Sequence, residues 1–209
     1  MTDEMLESYA DGSISEGMSL LAAAHLTFCP ACRAEVAALE RMSGAVLAEC
    51  GRSDAGPDLA AVLDAIDADP TPEPDFVGIG PDAGSPLPNP VRERVGMPIE
   101  DLHWRFLLPG LAECRIEGFE NEEVSLLRAR PGVRIPGHTH SGEEATLILS
   151  GQMRDGELVF GRGDLAFADH HDDHHPEIVG NETCVCLVVL SGRMRFTGPL
   201  GRALNLFAG

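Results

Sequence analysis

Apolar residues recur at helical spacing through the first third of the chain, at Leu20, Leu21 and Ala24 and then at Val36, Leu39 and Met42. Ser13 or Ser15 can cap a helix that begins near Met18, and Pro30 suits the first turn of the next one. Phe28 and Met42 read as core, and Gly44 and Gly51 loosen the stretch beyond Met42. Residues 58–68, DLAAVLDAIDA, predict one more short amphipathic helix, with Leu59, Val62, Leu63 and Ile66 on one side. Between residues 69 and 89 the prolines of DPTPEPDFVGIGPDAGSPLPN remove backbone donors and fix φ, which predicts an extended linker. Beyond it, short apolar runs punctuated by glycine predict strands over 124–129, 145–149, 158–160, 164–168 and 183–190, a spacing that suits a small β-sandwich or barrel. There is no internal repeat. The expectation is a multidomain α + β chain: a small helical domain over 1–68, a proline-rich linker over 69–95, and an all-β barrel over 96–209.

Charge sharpens this picture. The formal net charge is −19, and residues 1–75 hold fifteen Asp and Glu against only Arg33, Arg41 and Arg52. Such a field repels nucleic acid and anionic membrane and favours a basic partner, although plain solubility asks for the same composition. No run approaches the ~20 apolar residues that span a bilayer. The acidic opening MTDEMLESYADG lacks the basic-then-apolar order of a signal peptide. The expected location is the cytoplasm, where six cysteines are seldom a disulfide framework. Their spacing is more informative: Cys29 and Cys32 form a CxxC, Cys184 and Cys186 a CxC, and Cys50 and Cys114 stand alone with no assigned role.

The run GVRIPGHTHSGEEATLILSG, residues 132–151, carries the clearest chemistry. His138 and His140 are two apart on a predicted strand, so both imidazoles face one way. Glu144 comes after a turn and can close on the same metal. Two imidazoles and a carboxylate suit zinc, iron, nickel or manganese. The competing reading is a surface histidine cluster with no metal. The run resembles the first cupin motif, G-x5-HxH-x3-E-x6-G, at Gly132, His138, His140, Glu144 and Gly151. That resemblance implies a fourth ligand from a later hairpin, within GRGDLAFADHHDDHHPEIVG. There the second cupin motif is degraded, with Gly161 where proline is usual and the histidine further from Gly163. His174, two before Pro176, is the choice, with His171 and His175 as alternatives.

His25, Cys29 and Cys32 fall at i, i+4 and i+7, on one face of a helix. If Pro30 starts a new helix, Cys29 lies near its N-cap, where the macrodipole favours the thiolate. A redox CxxC competes, but that motif usually follows a strand in an α/β fold. The H-x3-C-x2-C spacing, after Leu6, Tyr9 and Gly12, resembles the zinc-binding anti-sigma domain of bacterial regulators. A cupin placed after such a domain resembles the ChrR group of anti-sigma factors. Trp104 with Pro109-Gly110, and Cys184-Val-Cys186, are also similar to that group. The family's fourth N-terminal ligand is a histidine just ahead of the first helix, and this chain has none before His25. A start codon placed too late, substitution by Asp3 or Glu4, and weak or absent zinc binding are the open alternatives.

The resemblance implies that the N-terminal domain binds an extracytoplasmic-function (ECF) type sigma factor and blocks its access to core RNA polymerase. It implies a zinc-bound cupin as sensor of singlet oxygen or organic hydroperoxides, after which sigma is released. Oxidation would act on or near the cupin metal, its histidines, or Cys184 and Cys186. Strand alternation also reads those two cysteines as small core residues, and a separation of one residue disfavours an unstrained mutual disulfide. The rival function is an iron-dependent, dioxygenase-like cupin enzyme with an appended helical interaction domain. A metal-storage or scaffold protein is a third reading.

Overall fold

The computed structural model of the chain describes residues 1–51, 56–69 and 84–197. Residues 70–83 of the expected linker and 198–209 of the expected barrel lie outside them. Three helices open the fold: α1 (Asp3–Ala10), α2 (Glu16–Phe28) and α3 (Pro30–Glu49). Thr2 caps α1, its Oγ1 accepting from the Met5 N–H at 3.3 Å. Pro30 does open α3, which then runs straight through Gly44. The i→i+4 ladder tolerates that glycine, at a cost of about 1 kcal/mol relative to alanine. Helix α4 (Leu59–Asp67) comes next, capped by Asp58 accepting from the Ala60 N–H at 3.3 Å. The last residues of the expected linker depart from an extended chain and form α5 (Asn89–Val95), which Pro90 enters in its first turn and Gly96 ends in the left-handed conformation.

Eleven strands among the described residues complete the chain: β1 (Arg105–Leu108), β2 (Leu111–Ile116), β3 (Glu123–Ala129), β4 (His138–His140), β5 (Glu143–Ser150), β6 (Gln152–Asp155), β7 (Leu158–Phe160), β8 (Leu165–Ala168), β9 (Glu177–Val179), β10 (Cys184–Ser191) and β11 (Met194–Phe196). They form an antiparallel six-stranded sheet, β1-β2-β3-β10-β5-β8, a three-stranded sheet, β7-β6-β9, and the pair β11-β4. The strands enclose an interior without closing into one continuous hydrogen-bonded barrel.

Within the six-stranded sheet the central strands β5 and β10 are buried on both faces, which explains why they read as nearly unbroken apolar runs. Ile148, Cys184, Cys186 and Val188 face the barrel interior with Met153 and Ile178. On the other face, Leu126, Leu147, Leu187 and Val189 share one core with Leu21 and Ala24 of α2 and with Val91 of α5. Helix α2 therefore roofs the sheet, and the helical and β halves meet through a common core. Gly17 allows the close approach: a Cβ there would lie 2.8 Å from Val124 Cγ2. Ser15 makes no capping bond within its own helix. Instead Glu122, from the β half, takes the Gly17 N–H at 2.9 Å and the Ser15 hydroxyl at 2.5 Å. A carboxylate so placed satisfies an orphan helical N–H and complements the helix dipole.

Two apolar stripes remain uncovered. Met42, expected in the core, is 67% exposed, with Val46 and Leu47 beside it on the far half of α3. No side chain of α4 is buried, and Leu59, Leu63 and Ile66 all face solvent. Phe28, the other expected core residue, packs half-buried against the shared core.

Two candidate metal centres

The four residues expected at the barrel centre converge. One ligand atom from each of His138, His140, Glu144 and His174 lies within 4.8 Å of the others. β4 presents His138 and His140 inward and Thr139 outward, and β5 presents Glu144 on the same side as Thr146 and Ile148. His174 joins through an isolated antiparallel bridge to His138, with paired backbone bonds of 3.0 and 3.1 Å, so the two side chains share a face. His175, the next residue along, is exposed, and His171 lies in the exposed turn closed by Asp172 N–H to Asp169 O. Neither joins the group.

The surroundings orient the donors. His138 Nδ1 donates to the Pro136 carbonyl at 2.9 Å, and His174 Nδ1 to the Asp155 carboxylate at 2.7 Å. Each bond leaves Nε2 for a metal, the arrangement in which a carbonyl or carboxylate behind a ligand sets its tautomer and raises its basicity. Thr146 Oγ1 donates to Glu144 at 3.2 Å. His140 Nε2 lies 3.1 Å from His174 Nε2 and 3.5 Å from Glu144 Oε2. Its Nδ1 is buried without a hydrogen-bond partner among the described residues. Burial pushes His138 and His140 down to about 4, with the neighbouring His174 adding to the effect, so both are neutral and ligand-competent at neutral pH. Burial raises Glu144. Convergent neutral imidazoles around a buried carboxylate are a donor set that a divalent cation satisfies.

The second group joins His25, Cys29 and Cys32, again within 4.8 Å. It is not one helical face. Cys29 is the C-cap of α2 and the N-cap of α3, at φ −107° and ψ 99°, so the chain turns between the histidine and Cys32. Cys29 Sγ accepts the Cys32 N–H at 3.5 Å, and this bond lowers its thiol below the usual range. Burial raises Cys32. His25 Nε2 lies 3.3 Å from Cys32 Sγ, and its Nδ1 bonds the Gly163 carbonyl of the β half at 2.9 Å. Among the described residues neither Asp3 nor Glu4 belongs to the group, which offers three donors.

Cys184 and Cys186 lie in the barrel interior with their sulfurs 3.5 Å apart. That contact holds the Cys184 thiol below its ordinary range and, with burial, pushes Cys186 well above it. Sequence reasoning missed Asp155, Thr146, Gly163 and Glu122. One signal for Asp155 was present: alternation in β6 puts it on the same side as Met153, an interior residue, so the acid points inward.

Comparison with known proteins speaks to the family and the fold. Residues 92–193 match the ChrR Cupin-like domain family. The chain is 32% identical over 209 residues to the anti-sigma-E factor ChrR of Cereibacter sphaeroides, spanning 99% of this chain and 96% of that one. Its fold matches a chain in the crystal structure of Rhodobacter sphaeroides SigE in complex with the anti-sigma ChrR, with a TM-score of 0.76 and 31% identity, over 91% of this chain and 97% of that one. Likeness along almost the entire length, helices and barrel together, means that the chain belongs to the ChrR family of anti-sigma factors.

Proposed function

We propose that this protein sequesters an ECF-type sigma factor and releases it on an oxidative signal sensed at the metal-bound barrel centre. It is a regulator rather than an enzyme, like the family to which it belongs. The observation that carries the reading is the uncovered apolar side of α4 together with the far half of α3, in a chain similar throughout to a sigma-binding protein. Leaving Leu59, Leu63 and Ile66 half to two-thirds in water forgoes about 1–2 kcal/mol each relative to burial, which a docking partner recovers. The acidic surroundings suit the basic faces by which sigma factors meet DNA, chiefly through rate and specificity.

Both centres hold zinc in this reading, the barrel centre through His138, His140, Glu144 and His174, and the N-terminal one through His25, Cys29 and Cys32. Among the described residues no helix is long and apolar enough to cross a membrane, which accords with action in the cytoplasm. Co-purification with the sigma factor, then transcription in vitro with and without this protein, tests sequestration. Transcription unaffected by a stoichiometric excess refutes it. His138→Ala with His140→Ala should keep sigma binding and abolish oxidant-induced release; normal release in that variant sinks the sensor reading. Metal analysis of the purified protein separates zinc from iron.

A further inference from the structure

The N-terminal centre is not made by the N-terminal helices alone. A carbonyl only accepts, so the 2.9 Å bond from His25 Nδ1 to Gly163 O puts the ring proton on Nδ1 and leaves the Nε2 lone pair beside Cys32 Sγ. Metal-binding histidines almost always carry such an acceptor behind them. Here it comes from the other half of the chain, in the turn between β7 and β8. That turn is tied at both ends: Gly161 N–H donates to Asp164 Oδ2 at 2.8 Å, and Gly163 N–H donates to Ile148 O at 2.8 Å. Ile148 N–H returns a bond to Asp164 O at 3.0 Å, so the Gly163 carbonyl has a fixed aim. The contact around it is close. Gly163 sits at φ +89°, a Cβ on it would lie 2.9 Å from Phe28 Cβ, and the Arg162 guanidinium lies 4.9 Å from the Phe28 ring centroid.

We propose that the β7–β8 turn is a working part of the N-terminal metal centre, its Gly163 carbonyl positioning His25 so that metal affinity there depends on α2 being seated on the sheet. The inference rests on the reading that His25, Cys29 and Cys32 hold a metal. By linkage the dependence runs both ways: metal at this centre holds α2 seated, and unseating α2 weakens the centre.

Cobalt titration of the full chain tests this, because thiolate-to-cobalt charge-transfer absorption arises only where cysteine is a ligand, and the barrel donor set has no sulfur. Gly163→Ala, which forces the turn away from Phe28, should weaken cobalt binding at the thiolate centre by about 10–100-fold and leave the sulfur-free centre unchanged. Arg162→Ala, which leaves the carbonyl in place, should stay within about fivefold of wild type. Wild-type thiolate-centre affinity in Gly163→Ala overturns the proposal, as does an equal loss in Arg162→Ala. NMR of labelled histidine nitrogens in the wild-type zinc protein decides independently of whether Gly163→Ala folds: a protonated Nδ1 with a metal-bound Nε2 on His25 supports the proposal, and a metal-bound Nδ1 overturns it. Absence of any thiolate–cobalt band in the wild type refutes the N-terminal metal reading itself, and this inference with it.

Discussion

The two candidate centres solve one problem in opposite ways. At the barrel centre four donors come from strands and a strand bridge, His138 and His140 are each 2% exposed, and neighbours aim the His138 and His174 rings from behind. At the N-terminal centre three donors meet at the joint of two helices, only His25 is buried, and its aim comes from the opposite half of the fold. Pre-aimed donors on a rigid sheet lose little freedom when metal arrives. Donors at a helix joint depend on the joint staying closed. The barrel centre should therefore retain metal, and the N-terminal centre should exchange it.

The sharpest way to break this contrast is His138→Ala with His140→Ala. Independent centres predict loss of roughly half the bound metal by elemental analysis, with the thiolate–cobalt band retained; loss of both metals would show that the centres stand or fall together. A second probe is the acid stability of the metal-free protein. His138 and His140 fall from 6.5 in the unfolded chain to about 4 in the fold, so the folded state binds fewer protons between those values. Their contribution is whole above pH 6.5 and is lost as pH falls toward 4. Glu144, raised by burial, acts in the opposite direction, its contribution being lost as pH rises. In a Glu144→Gln background the melting temperature should drop on the order of 10 °C across that window, and removing both histidines should flatten the slope.

Smaller effects refine the barrel side of the contrast. Asp155→Ala removes the carboxylate behind His174 and should lower metal affinity there by about 10–100-fold, read by chelator competition, with no change at the thiolate centre. Thr146→Val removes one hydrogen bond to Glu144 and should cost only about twofold to tenfold at the same centre. An equal loss in both variants would mean that the carboxylate behind the ligand has no special role.

Much of the barrel was legible because its central strands are apolar on both faces. The predicted runs over 124–129, 145–149, 158–160, 164–168 and 183–190 each fall on β3, β5, β7, β8 or β10 to within two residues at either end. β2 escaped because Glu113 and Arg115 interrupt its apolar positions, and β9 and β11 because Glu177 and Arg195 leave them no unbroken apolar run like that of β7. α5 was hidden among prolines that in fact start it. His138, His140 and Glu144 were readable because strand alternation and a short turn leave few ways to place them. Asp155 required knowing which side of β6 faces inward. The helices teach the complementary lesson. α2 and α4 both show an apolar stripe, yet Leu21 is fully buried and Leu63 is half exposed. Periodicity tells that a face wants covering, and only the fold tells whether the chain itself supplies the cover.

The roof that α2 makes over the sheet also sets an order of events. Helix α2 leaves the ribosome early, but its bed includes Val124 of β3 and Val189 of β10, the last long strand described. Contacts so distant along the chain form late, after the intervening loops have closed. His25 cannot be aimed until the turn holding Gly163 exists and α2 has settled upon it. The N-terminal candidate centre, made before the barrel one, is thus among the last parts of the molecule to mature, and a nascent chain carries Cys29 and Cys32 unguarded until the barrel behind them is built.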